Sequence, residues 1–414
     1  MTAMVDDVEA IDYSYGDVAR IPSFRKLWLG DLSSQTADRM AFVAVTILAY
    51  GESASSIGVS LIIGAYFLPA LFVSIPGGVV ADRYARRTVM VAAESVRVLI
   101  ALLMALLGVG LMLVGLVLVF SSLTYLFYPS RQASIPCLVP DGALMPANAA
   151  ISANLILGFA VGPVIGGVVA SMYGAEWALL IAAVVMAIGV VIIASISDES
   201  VCTPARDGTE GGWSSLSEGL SEIKRHPMLW QGFVLVVFVM LAVGAGSVGL
   251  VVYGDMDLDM GKEGFSILLA ALSMGTLAGA IVIGRVGPEF PKGRLLVSSA
   301  LLAGLMLILL SRVDEVYIAL AIMFLVGVAA AMVLVPFTTM LQERLGDQVM
   351  GTGFGMLSMG LTAPLLVGVA IAGPFIEARG VLDLFILLGF VLFAVGIVSL
   401  ATTRLWKVSD GTSV

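Results

Sequence analysis

The sequence predicts an all-α polytopic membrane protein, with twelve transmembrane helices arranged in two six-helix halves. Of its 414 residues, 59% are hydrophobic and 12% are charged, whereas a soluble protein carries about 25% charged residues. Twelve helices of about 20 residues would occupy roughly 240 residues, ~58% of the chain. The apolar runs also lack the alternation of β-barrel strands. This composition argues against a soluble enzyme, and we predict that the protein is not an enzyme.

Each predicted span is an apolar run bounded by charges or by clusters of proline and glycine. In the first half, the spans are 26–50, 57–80, 88–109, 111–134, 146–171 and 175–196. In the second half, they are 227–253, 264–286, 293–311, 316–341, 350–376 and 381–404. Several connections are very short, so neighbouring spans are expected to run antiparallel.

The distribution of lysine and arginine predicts the orientation in the membrane. Sixteen of these residues flank the spans on one side, and only Lys262, Arg312 and Arg379 lie on the other. Because cytoplasmic loops are enriched in lysine and arginine, both termini are predicted to be cytoplasmic. The first 23 residues are acidic and do not resemble a signal peptide. We expect a multi-pass protein of a bacterial inner (plasma) membrane.

The chain shows signs of an internal duplication. Leu-Trp-Leu-Gly at 27–30 opens the first span, and Leu-Trp-Gln-Gly at 229–232 opens the seventh. A shift of 206 residues places Gly162 on Gly368 and Gly167 on Gly373. These matches predict two halves of the same topology, related by an axis along the membrane normal.

The predicted domain organisation follows from the spans and from the polar segments. It comprises an acidic cytoplasmic tail (1–23), a first half (24–196), a linker (197–226), a second half (227–404) and a cytoplasmic tail (405–414). In the linker, apolar residues recur at helical spacing from Trp213 to Ile223. They predict an amphipathic helix on the cytoplasmic membrane surface.

Two motifs carry a family resemblance. The chain reads Gly78-Val-Val-Ala-Asp82-Arg83-Tyr-Ala-Arg86-Arg87 after the second span and Gly158-Phe-Ala-Val-Gly162-Pro163-Val-Ile-Gly166-Gly167 in the fifth. Together with the two halves, they resemble the major facilitator superfamily, whose signature G-x-x-x-D-R-x-x-R-R the first matches. The second is similar to that superfamily's antiporter motif, which is associated with exporters. The second-half counterpart at 284–287 lacks the aspartate, so any gate contact there is expected to differ.

Further segments, at 24–30, 128–133 and 138–140, resemble the multidrug/proton antiporter branch that includes macrolide efflux proteins and the enterobactin exporter. The resemblance covers nearly the whole chain after the first 20 residues. It implies a transporter that exports amphiphilic small molecules in exchange for protons.

The motif after the second span has a physical interpretation as a cytoplasmic gate. Gly78 permits the close approach of a neighbouring helix. Asp82 can accept hydrogen bonds from a helix N-terminus, where the dipole favours an anion, and the resemblance implies that this helix is span eleven. Arg83, Arg86 and Arg87 can form charge-assisted bonds that break and reform between two states. The alternative is that these arginines only set the topology.

The motif in the fifth span predicts close helix packing. Gly158, Gly162 and Gly166 recur every four residues, so they predict a smooth groove against which a facing helix can pack. Gly167 lies beside this groove. Pro163 removes a backbone hydrogen bond and permits a kink.

Ionisable residues inside spans mark the candidate coupling site, because each is costly in hydrocarbon and usually functional. They are Asp31, Asp38 and Arg39 in span one and Glu94 and Arg97 in span three. At about 1.5 Å per residue, Asp38 lies about 16 Å deep, Arg97 about 15 Å and Glu94 about 10 Å. We expect Asp38 to carry the proton, because burial disfavours a charged carboxyl group while a nearby arginine favours it. The alternative is a permanent ion pair of Asp38 or Glu94 with Arg97 that only holds the two spans together.

The expected substrate cavity is wide and apolar, and Gln35, Tyr125 and Thr338 are candidate lining residues. No cofactor is expected, because a proton gradient would supply the energy. No metal site is expected either, since the acidic loop at 255–263 lacks the ligand pattern of a calcium loop.

The sequence therefore predicts a secondary active transporter that exports drug-like amphiphiles by proton antiport through alternating access. Its expected partners are a small amphiphilic substrate, protons and the lipid bilayer; we expect a monomer and no nucleic acid. The alternatives are a specific exporter of a siderophore or a lysolipid and a proton-coupled importer.

Overall fold

The computed structural model describes residues 15–53, 55–197, 224–261, 264–286, 292–344 and 347–401. The first-half helices are α1 (Tyr15–Arg20), α2 (Pro22–Ser53), α3 (Ser56–Phe67), α4 (Pro69–Arg83), α5 (Arg86–Leu107), α6 (Gly110–Leu138), α7 (Leu144–Tyr173) and α8 (Ala175–Ala194). The second-half helices are α9 (Pro227–Val252), α10 (Gly264–Val286), α11 (Lys292–Leu310), α12 (Val316–Arg344), α13 (Asp347–Arg379) and α14 (Val381–Ala401). A π-helical turn, Tyr253–Asp257, extends α9.

Every predicted span overlaps a long helix, so the predicted all-α membrane fold is confirmed. Eleven stretches of the described chain are long and apolar enough to cross a membrane. The predicted span outside this set is α2, which is 32 residues long and carries Asp31, Asp38 and Arg39. These charges lower its hydropathy, so this span holds three of the five predicted coupling residues and is less apolar than the others.

The second span is interrupted where α3 gives way to α4. Pro69 begins α4 and has no backbone N–H to donate to the carbonyl of Ala65, four residues before it. The single hydroxyl proton of Ser121 in α6 is within reach of that carbonyl oxygen at 3.2 Å and of the Val117 carbonyl of its own helix at 2.8 Å. The neighbouring helix thus offers the Ala65 carbonyl a shared replacement donor inside the membrane.

Glycines that the sequence repeat matches make equivalent contacts within the two halves. A methyl group on Gly162 of α7 would lie 2.8 Å from the Thr36 carbonyl oxygen of α2. One on Gly368 of α13 would lie 2.9 Å from the Ala245 nitrogen of α9. In each half, the fifth span therefore packs backbone to backbone against the first.

The second matched pair makes equivalent contacts between the halves. Gly167 of α7 packs against Ser266 of α10, and a methyl group there would overlap the serine side chain. A methyl group on Gly373 of α13 would lie 2.9 Å from Cα of Ile57 in α3. The fifth span of each half thus touches the second span of the other half, as expected for two halves of one topology.

Hydrogen bonds join the two halves at the end of the bundle that carries Tyr50, which we call the outer end. The opposite end, with Arg83, Arg86 and Arg87, is called the arginine-rich end. The bonds at the outer end are Tyr50 Oη to Asp255 Oδ2 at 2.9 Å, Ser55 Oγ to Glu377 Oε1 at 2.8 Å and Ser56 Oγ to the Gly373 carbonyl at 2.9 Å. The space between the halves is closed here.

Several sequence predictions fall outside the described residues. The amphipathic linker helix lies within 198–223, and most of both tails lies within 1–14 and 402–414. The domain boundaries remain predictions.

Candidate transport site

One group of buried charges surrounds Asp31 of α2. Its side chain is fully buried and accepts hydrogen bonds from Arg131 Nη1 of α6 at 2.6 Å and from Asn154 Nδ2 of α7 at 2.8 Å. The same Asn154 amide donates to the Trp28 carbonyl at 2.8 Å. The Asp31 carboxylate therefore ties together the first, fourth and fifth spans.

A second group surrounds Arg97 of α5, which is 1% exposed. Its Nη2 pairs with Asp38 Oδ1, and its Nη1 donates to Glu94 Oε1 at 2.7 Å. Ser34 Oγ of α2 donates to the same Glu94 oxygen at 2.8 Å. The guanidinium also stacks on the Phe120 ring, 4.3 Å from its centroid. Both ion pairs of the sequence-based alternative are formed, and one arginine bridges the two carboxylates.

Arg39 is placed differently from the other two arginines. Its Nε lies 3.8 Å from Asp38 Oδ2, too far for a hydrogen bond. That nitrogen is buried and has no hydrogen-bond partner among the described residues. The guanidinium instead lies over the Phe159 ring of α7, 3.9 Å from its centroid. Arg39 is therefore in contact with the Phe159 ring, while the carboxylate of Asp38 attracts it without a hydrogen bond.

The glycine motif of α7 holds α2 where these charges lie. Methyl groups on Gly158 and Gly166 would lie 2.9 Å from Gln35 Cβ and 3.0 Å from Met40 Cα. Gly162, between them, meets the backbone of Thr36. The predicted groove therefore exists, and the helix inside it is the segment of α2 that carries Asp38.

The network is electrically balanced when every group is ionised. It holds three carboxylates, on Asp31, Asp38 and Glu94, and three guanidinium groups, on Arg39, Arg97 and Arg131. An unpaired charge in hydrocarbon is costly, and removing one partner of a buried pair costs about 3–5 kcal/mol. The balance explains how one half of the bundle accommodates six charged side chains.

The predicted cavity residues have different surroundings. Gln35 is buried, and its Oε1 accepts a hydrogen bond from Tyr128 Oη at 3.0 Å. Tyr125 is partly exposed and packs edge-on against Tyr128. The side chain of Thr338 lies outside the described residues.

At the arginine-rich end, two motif arginines bind within the first half. Arg86 Nη1 donates to the Ala133 carbonyl at 2.7 Å, and Arg87 donates to the Ala194 carbonyl. The Ala194 carbonyl ends α8, where the helix dipole favours a cation. Arg83 is exposed, and the side chain of Asp82 lies outside the described residues.

The glycine before Gly78 makes a close contact within the first half. No described atom lies within 4 Å of the position that a methyl group on Gly78 would take. A methyl group on Gly77 would overlap the Tyr125 carbonyl oxygen of α6. Gly77 thus packs within the first half, while Gly78 contacts none of the atoms that the structure describes.

Sequence reasoning missed Arg131, Asn154 and Phe159. Arg131 lies near the end of the predicted span 111–134 and counts among the sixteen basic residues that predict the orientation, whereas in the structure it lies inside α6 and pairs with Asp31. Asn154 precedes Gly158 by four residues, so helical spacing in α7 would have placed both against α2. Phe159 carried no signal of its own in the sequence. The described residues contain no cluster suited to hold a metal ion.

The family model of the Major Facilitator Superfamily matches residues 27–369. The multidrug efflux pump Tap of Mycobacterium tuberculosis (strain ATCC 25618 / H37Rv) is 24% identical over 398 residues, 92% of this chain and 93% of that protein. The lysophospholipid transporter LplT of Escherichia coli O1:K1 / APEC is 25% identical over 392 residues, 86% and 87% of the two chains.

A solved structure shares the fold. A POT family transporter in complex with 5-aminolevulinic acid superimposes with a TM-score of 0.79 and covers 93% of this chain and 96% of its own. Its sequence is 14% identical, so the likeness concerns the fold alone.

Proposed function

The chain belongs to the major facilitator superfamily, and on this premise we propose that it exports amphiphilic small molecules by proton antiport through alternating access. The observation that carries the proposal is the position of Asp38. This buried carboxylate pairs with Arg97 and lies 3.8 Å from Arg39. Relatives named as a multidrug efflux pump and a lysophospholipid transporter support an amphiphilic substrate.

Asp38 is the proposed proton carrier, and its neighbours would respond to its protonation. A protonated Asp38 no longer attracts Arg97, because a charge-assisted hydrogen bond needs the ionised carboxylate. Arg97 would then bind Glu94 alone, and Arg39 would lose its nearest anion. Asp31 is a less suitable carrier, since Arg131 and Asn154 occupy both of its oxygens.

Alternating access would use the two ends of the bundle. The outer end is closed by hydrogen bonds between the halves, while at the arginine-rich end none of the described atoms lies against Gly78. We propose that the structure corresponds to the conformation open to the cytoplasm, with the arginine-rich end inside and the protein in a bacterial inner membrane. Closure at that end would bring Gly78, Asp82 and Arg83 against the second half.

A specific lysolipid exporter is the second candidate, because LplT covers 86% of this chain at an identity similar to that of Tap. A siderophore exporter and a proton-coupled importer have no such support among the relatives described above. Inhibition by one chemical class only would favour the specific exporter. Inhibition by many unrelated amphiphiles would favour the broad one.

Proton flux in proteoliposomes tests the proposal. A pH gradient is imposed, hydrophobic cations or neutral amphiphiles are added, and wild type is compared with Asp38→Asn. We expect substrate-triggered flux in the wild type and loss of at least tenfold in the variant, because an amide cannot carry the proton. Asp31→Asn serves as the matched carboxylate control. Equal flux in wild type and Asp38→Asn would show that another carboxylate carries the proton. No flux with any compound would refute proton antiport.

A further inference from the structure

Resting on the proposed function, we propose that the exposed ring of Phe159 is the platform that binds substrate, and that Arg39 occupies this platform when substrate is absent. The ligand class would be an amphiphile with an organic cation or a flat aromatic group. Such a group can replace a guanidinium on the face of an aromatic ring. Phe159 would set specificity, and Arg39 would be a positioning residue that links the platform to Asp38.

Phe159 lies on the face of α7 between its contacts with two other helices, where the Arg39 side chain of α2 covers part of the ring. Gly158 and Gly162 pack against α2, and Gly167 packs against α10. Val168 lies on the exposed face of α7 that points away from the bundle. At about 100° per residue, Val168 is about 180° from Phe159 around the helix. Phe159 is nevertheless 39% exposed. It therefore faces the space between α2 and α10, which belong to opposite halves.

The same face is exposed further along α7 toward the arginine-rich end. Leu155 and Ser152, four and seven residues before Phe159, are both exposed. Residues at this spacing share one side of a helix. They form an amphipathic path from the arginine-rich end to the Phe159 ring, which an amphiphile could follow.

Arg39 has the geometry of an occupant that can be displaced. Its guanidinium stacks on Phe159 at 3.9 Å, and its side chain is 11% exposed. Unlike Arg97 and Arg131, it forms no ion pair at hydrogen-bonding distance with a described residue. Among the described residues, its closest interactions are the stacking on Phe159 and the attraction to Asp38, 3.8 Å away.

Displacement of Arg39 would couple substrate to proton. A ligand that takes the ring pushes the guanidinium toward Asp38 Oδ2, whose partner oxygen already pairs with Arg97. Where Asp38 has first taken up a proton, a second close guanidinium would favour its ionised form, so substrate binding would expel that proton. This opposition of substrate and proton is what antiport requires. The other titratable groups facing Asp38 are Glu94 and Arg97 of α5, Tyr66 of α3 and Tyr125 and Tyr128 of α6.

A matched pair of hydrophobic ions tests the ligand class. Tetraphenylphosphonium and tetraphenylborate have similar size and opposite charge, and binding of each to the full chain in lipid nanodiscs can be measured by calorimetry. We expect tighter binding of the cation and release of protons on binding. Phe159→Leu should weaken cation binding about tenfold, equivalent to about 1.4 kcal/mol. Phe390→Leu, on an exposed face of α14, is the matched control and should bind as wild type does.

Arg39→Gln gives a readout that a structural role would not produce. The ring is then vacant, so the cation should bind more tightly than to wild type, while proton release is lost. Tighter binding of the borate anion, no binding of either ion, or wild-type affinity in Phe159→Leu would each overturn the inference. Because binding is measured without a gradient, Phe159-dependent binding with no flux in proteoliposomes would refute proton antiport while leaving the binding platform intact.

Discussion

Removing the charge of Arg131 should destabilise the protein more than removing the charge of its partner Asp31. Asp31 is fully buried, whereas the Arg131 side chain is 14% exposed. In Arg131→Met, the Asp31 carboxylate stays buried with Asn154 as its remaining described donor. Leaving a buried charge without its partner costs about 3–5 kcal/mol.

Asp31→Asn leaves a milder defect. Arg131 keeps part of its contact with water and can still donate to the amide oxygen. The new amide nitrogen would face the Asn154 amide nitrogen, but Asn154 Oδ1 is buried and has no partner among the described residues. A rotation of the Asn154 amide would therefore pair the two side chains, at the expense of the bond to the Trp28 carbonyl. We expect a loss of about 1.5–3 kcal/mol, typical of a hydrogen bond to a charged group.

The double variant, with Arg131→Met and Asp31→Asn combined, separates the energy of the interaction between the two side chains from the effect of losing each one. With both charges removed, no buried carboxylate is left unpaired, so the double variant should be more stable than Arg131→Met alone. Equilibrium unfolding in mixed micelles, followed by tryptophan fluorescence, gives the free energy of unfolding for all four proteins. Additive losses, or a loss for Arg131→Met no larger than that for Asp31→Asn, would refute the claim that the carboxylate is the costlier group to leave alone.

Two further perturbations address packing and closure. Gly77→Ala should lower the melting temperature in a thermal-shift assay, because its methyl group would overlap the Tyr125 carbonyl oxygen, whereas Gly78→Ala should not; equal shifts would contradict the packing described at these glycines. Tyr50→Phe removes the hydrogen bond to Asp255 at the outer end, worth about 1.5–3 kcal/mol for a charged acceptor. Spin labels across that end should then report roughly ten- to a hundredfold more of the form that is open there, and an unchanged distance distribution would show that this bond does not hold the end closed.

Much of the fold could be predicted from the sequence because it depends on composition and periodicity. Apolar length places a helix in the membrane whatever its neighbours are, so the spans were recovered to within a few residues. The repeat of Gly162 at Gly368 was visible for the same reason, since close helix packing requires small residues at regular spacing. The break at Pro69 follows from proline chemistry, although the apolar run over 57–80 predicts one continuous span.

The candidate site was only partly predictable. The cost of ionisable groups in hydrocarbon drew attention to Asp38, Glu94 and Arg97, and the structure does bring them together. Arg131 was missed because a charge near a predicted span end can be assigned to a loop or to the bundle. Its partner is 100 residues away in the chain, and no local pattern encodes that distance.

The sequence by itself determined which helices form and which of them carry charge, because hydrophobicity and burial cost act residue by residue. Only the tertiary structure decided how those charges are shared: Arg97 bridges two carboxylates, Arg131 belongs to Asp31, and Arg39 rests on Phe159. The structure also decided which end is closed, since the bonds of Tyr50 and Ser55 reach residues more than 200 positions away. Such pairings depend on how the two halves meet, and the same sequence must allow them to meet in more than one way if it is to transport.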